Sequence, residues 1–278
     1  MLERISVVTD STASLPQKLI KEQGIDVVPA LITFGNDTYR DGIDIGMEKF
    51  MQMLVTAPAL PTTGAPSLQE YYKIYQKHPG DIISIHLGSK FSAIFQSAQS
   101  AANETRKGHI HPIDSESVSL GIGFLAMRAI ELINQGATVD QIISELENMK
   151  SRTTVFAAFD TLKYAHAGGR ISHLEAQLGS LLQIKPILEM KNNQINPIEK
   201  PRTRGKSLSR LCELTEAFGP LERVGVVHAD SPLDAQNIIE QIKRFHDGEI
   251  ILGNIGPGLA THGGPGIIGV CAVKRKLN

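Results

Sequence analysis

The chain has 278 residues, a formal net charge of −1, 41% hydrophobic residues and 21% charged residues. That length suits two ordinary folded domains, and the balanced charge leaves no broad positive field for nonspecific DNA or RNA binding. No apolar run approaches the roughly 20 residues of a membrane span, and Met1-Leu2-Glu3-Arg4 leads straight into strand-like sequence, so the expectation is a cytoplasmic protein without an integral membrane segment.

Ile5 to Thr9 reads as the opening strand. Asp10-Ser11-Thr12-Ala13-Ser14 follows as a cluster of capping residues before a helix around Pro16 to Gln23. Ile25 to Phe34 and Ile82 to His86 read as further strands, and Ser92 opens a helix to about Arg106. Gly121 to Gln135 carries apolar residues at three- and four-residue spacing, the pattern of a largely buried helix. Val139 to Lys150 sets Ile142, Ile143 and Leu146 against acids, the pattern of a surface helix. Alternating strands and helices predict a parallel-sheet α/β lobe over residues 1–152.

The second half opens with a strand at Val155 to Phe159 and passes Gly168-Gly169. Asn192-Asn193 is a hairpin turn joining Lys185 to Met190 with Ile195 to Ile198. Helices at Lys206 to Phe218 and Pro232 to His246 flank a strand at Val224 to His228. This order predicts a mixed, partly antiparallel α+β lobe over residues 153–278. The two cysteines, Cys212 and Cys271, lie in different contexts without a C-x-x-C and read as small buried hydrophobes.

Several motifs fail on context. Gly264-Pro265-Gly266-Ile267-Ile268-Gly269 has the dinucleotide spacing but runs into the strand-like Val270 to Val273 instead of opening a helix. Gly205-Lys206-Ser207 resembles the end of a phosphate-binding loop, yet Lys200 stands where that loop needs its first glycine, so no ATP cradle is expected. His109 and His111 alternate along a strand and supply two possible metal ligands without a third, a pattern commoner among solvent-facing histidines. Glu145 and Glu147, two apart on a helix, share no face and form no acid–base couple. No catalytic residue, metal ligand or cofactor is assigned.

Four segments concentrate hydroxyls, glycines and a cation at loops and helix starts: Pro61 to Ser67, His86 to Ser97, Leu162 to Ser172 and Gly253 to Gly269. Hydroxyls at a helix N-terminus can complete a site for a carboxylate or phosphate, although capping is their commoner use. Arg170 adds a guanidinium whose fork suits such an anion, and His262 lies between glycine-rich turns where a titratable ring can meet a head group. Asp10 can be read as a nucleophile after the first strand, but an N-cap is the simpler role. A polar phosphate ester is the rival ligand class, and a two-lobed phosphotransferase or hydrolase the rival activity.

In order along the chain, Thr9-Asp10-Ser11-Thr12-Ala13-Ser14-Leu15-Pro16, Pro61-Thr62-Thr63 with Pro66-Ser67, and Ser89-Lys90-Phe91-Ser92 with Gln96-Ser97-Ala98 resemble the landmarks of the DegV family. Asp114-Ser115, Gly168-Gly169-Arg170-Ile171, Ile184-Lys185-Pro186, and Gly256-Pro257 with His262 and Gly264-Pro265-Gly266 continue the resemblance over nearly the whole chain. The resemblance implies two α/β lobes with one long-chain fatty acid held between them. It also implies a role as the lipid-carrying subunit of bacterial fatty acid kinase, whose separate catalytic subunit uses ATP to convert the bound acid to an acyl phosphate. By position, the ligand-binding residues it implies are Thr63 or its neighbour Thr62, Ser92, Arg170 and His262. Gly64-Ala65, Ala93, Phe95, Ala165 and Ala167 depart from the family pattern and bear on pocket volume. An acyl tunnel is expected along Gly121 to Ile133 and Leu174 to Leu182.

Overall fold

The computed structural model describes residues 5–105, 109–174 and 184–276. Its first part runs β1 (Ser6–Asp10), α1 (Gln17–Gln23), β2 (Asp26–Val28), β3 (Leu31–Phe34), β4 (Asp37–Arg40), α2 (Met47–Thr56), β5 (Thr62–Gly64), α3 (Leu68–Tyr75) and β6 (Ile82–His86). It continues with α4 (Ile94–Thr105), β7 (Ile110–Asp114), α5 (Leu120–Asn134) and α6 (Val139–Ser151). The remainder runs β8 (Thr153–Ala158), α7 (Lys163–Ala167), β9 (Ile187–Lys191), β10 (Gln194–Glu199) and α8 (Arg204–Ala217). Then come β11 (Leu221–His228), α9 (Pro232–Ile242), β12 (Ile250–Asn254), α10 (Pro257–Gly263) and β13 (Ile268–Lys274).

The α/β class read from the sequence is the class observed. Strands β2, β1, β6 and β7 form a four-stranded parallel sheet in that order. The later strands form a six-stranded sheet ordered β10-β9-β8-β13-β11-β12, antiparallel except where β11 runs beside β12. The stretch Ile25 to Phe34 is not one strand. It breaks at Pro29-Ala30, and β3 leaves the parallel sheet to join β4 and β5 in a small antiparallel sheet ordered β4-β3-β5. Proline has no N–H to give a ladder and favours such a break.

Helix α5 lies between the two large sheets and touches β1 and β6 on one side and β8, β11 and β13 on the other. Phe124 and Leu125 on α5, Val7, Ile83 and Ile85 of the parallel sheet, and Val155, Val227 and Cys271 of the mixed sheet share one apolar core. The outer face of the mixed sheet buries Phe156, Val226 and Val270 beneath Leu211 of α8 and Ile238 of α9. Burial on both sides explains why α5 reads as almost continuously apolar. Cys212 and Cys271 are free and buried, as read from the sequence.

The Asn192-Asn193 turn joins β9 to β10, with φ of 50° and 59°. Asparagine tolerates the left-handed region better than most residues, and two such positions in succession suit a two-residue hairpin loop. The turn reaches back to the first half of the chain. Asn193 Nδ2 donates to Asp114 Oδ2 at 2.9 Å, and its N–H donates to Glu116 O at 3.0 Å.

Candidate functional site

An apolar cavity opens among the mixed sheet, the small sheet and α10. Its floor is one row of the mixed sheet, in which Leu188 pairs with Ala157, Ala157 with Gly269, and Gly269 with Val227. The row is low at its centre, because a Cβ on Gly269 would stand 2.8 Å from Val227 Cγ2. Phe159, Met190, Ile195, Ile255 and Ile267 extend the apolar wall. The polar lining residues are few: Thr12, Thr63, Ser92, Ser119, Arg170 and His262. An apolar enclosure with a small convergent polar group is the usual build of a small-molecule site.

Strand β5 pairs with β3 in a register that sets Thr63 opposite the fully buried Ile32 and Thr62 opposite Thr33. Side chains alternate along a strand, so Thr63 faces the cavity while Thr62 is exposed on the other face and drops from the lining. Both threonines precede a helix start near Ser67, as expected, since α3 begins at Leu68 with Ser67 as its N-cap. They lie on strand β5 themselves, and Thr63's neighbour in the site is a side chain. Thr63 Oγ1 and His262 Nε2 are 2.8 Å apart.

His262 occupies the last turn of α10, and its ring lies against the backbone of Gly168. A Cβ at Gly168 would stand 2.3 Å from His262 Nδ1, so only glycine leaves room for the ring. That Nδ1 is buried without a partner among the described residues. Burial, joined by the nearby positive charge of Arg170, pushes the His262 pKa down to about 4, so the ring is neutral at physiological pH.

The glycine pair divides its work. Gly169, at φ 73°, takes the left-handed conformation that ends α7, and Arg170 N–H then returns to Ala165 O at 3.1 Å. This turn sets the Arg170 guanidinium at the cavity mouth, where Nη1 donates to Gly168 O at 2.5 Å and Nε to Phe91 O at 3.4 Å. Ser92 lies two residues before α4, half-buried, on the wall shared by the cavity and an outer cleft with Lys90, Gln96 and Arg170. Thr63, Ser92, Arg170 and His262, more than a hundred residues apart at the extremes, therefore line one cavity.

The tunnel expectation needs correction along Gly121 to Ile133. None of those residues lines the cavity, because α5 lies between sheets on both sides and is buried core from Leu120 to Met127. Of the other proposed tunnel segment, Leu174 is buried core and edges an outer cleft, and residues 175–183 lie outside the described residues.

Asp10 caps the turn at Ser11–Ala13 by accepting from Thr12 N–H at 2.9 Å. Its carboxylate is fully buried and also accepts from the Thr12 hydroxyl, from Leu87 N–H at 2.9 Å and, at 3.1 Å, meets His86 Nδ1. Burial alone would raise its pKa; His86 and these donors outweigh that and hold it below the usual carboxylate range. A saturated carboxylate walled off from the cavity is a cap, not an attacking group. Around the glycine-rich stretch, Gly264 and Gly266 lead into β13 with no helix following, so the dinucleotide geometry is not formed. His109 and His111 both approach Asp81, at 3.2 and 3.5 Å, and no set of three metal-ligating side chains occurs among the described residues. Two contacts escaped the sequence reading: the seating of His262 on Gly168, and a buried carboxylate, Asp41, behind α10.

The fold and cavity define a class, an α/β protein in which a parallel and a mixed sheet share a core and the mixed sheet floors an apolar cavity with hydroxyl, imidazole and guanidinium groups in its lining. The family described as "Uncharacterised protein, DegV family" matches residues 4–275, and the chain belongs to it. Protein DegV of Bacillus subtilis is 37% identical over 275 residues, covering 96% of this chain and 98% of that one. The crystal structure of DegV, a fatty acid binding protein from Bacillus subtilis, superposes with a TM-score of 0.88 at 36% identity, covering 98% of this chain and 100% of that one. A DegV family protein from Thermus thermophilus, described for its fatty acid binding, superposes with a TM-score of 0.90 at 28% identity over 98% of this chain and all of that one.

Proposed function

We propose that this protein is a carrier that encloses one long-chain fatty acid, without catalysis or an ATP site of its own. The acyl chain occupies the cavity over the Ala157–Gly269 floor. The carboxylate sits at the mouth, hydrogen-bonded by Thr63 and Ser92, oriented by His262 and favoured in its ionised form by Arg170. The observation that carries this reading is the pairing of an apolar cavity with a polar cluster, the Thr63–His262 contact at 2.8 Å beside Arg170. Fatty acid binding by relatives of the same fold supports the ligand class.

Burying about fifteen methylenes at roughly 0.8 kcal/mol each amounts to about 12 kcal/mol before the cost of association. A ligand held that firmly needs a recipient that takes it up directly. The resemblance noted in the sequence supplies one, a cytoplasmic fatty acid kinase subunit that brings ATP and phosphorylates the carboxylate presented at the mouth. In this reading residues 1–152 and 153–278 are the two lobes that close on the lipid.

Competition binding tests the ligand class. Displacement of a fluorescent fatty acid by palmitic acid, and none by sugar phosphates, is the expected result; the reverse would replace the carrier with a polar-ligand protein. Incubation with a fatty acid kinase subunit and ATP is expected to yield acyl phosphate only when this chain is present.

A further inference from the structure

Helix α10 carries His262 but has no cap of its own. Its N-cap is Gly256, without a side chain, and its first residue is Pro257, without an N–H. Gly258 N–H is the first free donor, and it donates to Asp41 Oδ2 at 3.2 Å. Asp41 comes from the end of β4, more than two hundred residues away, and is 4% exposed. Its N–H donates to Ala30 O at 2.8 Å, which fixes the backbone, and Ser11 Oγ donates to the same Oδ2 at 2.8 Å. The Ser11 hydroxyl in turn accepts from Ala30 N–H at 3.0 Å.

The fit leaves no slack. A Cβ on Gly258 would stand 2.7 Å from Asp41 Oδ2, and one on Gly256 would stand 3.2 Å from Oδ1. Gly258 and His262 are four residues apart, so they share a helix face, and both line the cavity. We infer that Asp41 is a positioning residue for the head-group site, capping α10 from the small-sheet side and thereby setting His262 against Thr63. The inference deepens the carrier reading and rests on it for the identity of the bound head group.

Burial pushes the Asp41 pKa up to about 6, the Ser11 hydroxyl and Gly258 N–H acting against the rise and the charge of Asp10 adding to it. The charged groups around Asp41 are Asp10, held by His86, and Arg40 with Asp44, which are exposed and paired with each other at 2.9 Å. His262, one turn along α10, is neutral over the same pH range. The charge of Asp41 thus changes between pH 5 and 7, and its strength as a cap changes with it.

The test compares wild type with Asp41→Ala, Asp41→Asn and Ser11→Ala. Palmitic acid and hexadecanol affinities are measured between pH 5 and 8, and the His262 ring is followed by NMR. The expected result is a palmitic acid affinity about tenfold weaker in Asp41→Ala, what one displaced hydrogen-bonding group costs. A smaller loss is expected in Asp41→Asn, with hexadecanol unchanged and the His262 ring resonances moved in both. Wild-type affinity should show a step near pH 6 that Asp41→Asn lacks. An unmoved His262 ring, or equal loss of palmitic acid and hexadecanol, would overturn the assignment. Should Asp41→Ala fail to fold, Asp41→Asn and Ser11→Ala carry the same readouts. A wild type that binds neither probe would sink the carrier reading, and the ring resonances would still decide the role of Asp41.

Discussion

Replacing Gly168 by alanine measures how tightly the head-group histidine is confined. Gly168 has φ −77°, which any residue adopts, so the cost of the methyl group is contact alone. The new Cβ would lie 2.3 Å from His262 Nδ1 and 2.8 Å from Cε1. Comfortable contact is about 3.5 Å, so the ring must retreat by roughly 1 Å or α7 must lift by as much. Retreat of the ring carries Nε2 away from Thr63, which it now meets at 2.8 Å, and a lift of α7 displaces Arg170, which follows Gly168-Gly169. One hydrogen bond is worth about 1 kcal/mol, so palmitic acid should bind about fivefold more weakly. Hexadecanol, with the same tail and no carboxylate, should lose no more than about twofold by that reasoning. Gly169→Ala is the control. Its φ of 73° makes it cost roughly 1 kcal/mol of fold stability, but nothing lies within 4 Å to disturb His262. Calorimetric titration of both lipids reads the difference. A Gly168→Ala protein that binds palmitic acid as wild type does would refute the claim that His262 orients the carboxylate.

Further outcomes follow from charge and hydrogen bonding at the same site. Arg170→Gln removes a charge that helps depress the His262 pKa, so NMR titration should find the ring's midpoint moved up from about 4, and an unmoved midpoint would separate the two residues. Ser92→Ala should weaken palmitic acid by about fivefold, one hydrogen bond's worth, without a change in unfolding midpoint; unaltered binding would take Ser92 out of the head-group site. His262 and Asp41 carry opposite linkages. A buried ring with pKa about 4 in place of 6.5 gives stability that is present above pH 6.5 and lost, about 3 kcal/mol, as pH falls through 4. A carboxyl raised from 3.8 to about 6 contributes stability present below 3.8 and lost, again about 3 kcal/mol, as pH rises through 6. The two nearly cancel in wild type between pH 4 and 6. Urea unfolding of Asp41→Asn should therefore expose a steeper loss of stability toward acid than wild type shows, and parallel curves would contradict the raised Asp41 pKa.

The parts legible in the sequence were those specified locally. The Asn192-Asn193 turn, the Asp10 cap and the alternation that builds the parallel sheet each depend on residues near one another in the chain. The small sheet was not legible, because β5 is three residues of Thr-Thr-Gly whose strand conformation comes from pairing with β3 across about thirty residues. Without that register, Thr62 and Thr63 could not be told apart. Helix α10 was hidden for a similar reason. Pro257-Gly258-Leu259-Ala260-Thr261-His262-Gly263 has poor helix propensity, and its first free N–H is met by Asp41 from a distant loop. Asp41 itself, followed by Gly42, looks like an ordinary turn residue. Helix α5 failed in the opposite direction: an apolar segment reads the same whether it lines a tunnel or fills a core, and only its place between two sheets decides.

The central claim is that this cavity holds a single fatty acid by its carboxylate. Native mass spectrometry of the purified protein, followed by solvent extraction and identification of what is released, tests it most directly. One stoichiometric fatty acid on the wild type, absent from the Thr63→Ala, Ser92→Ala double variant, is the result the account predicts. A wild type that carries no lipid and takes up no added palmitic acid would contradict it.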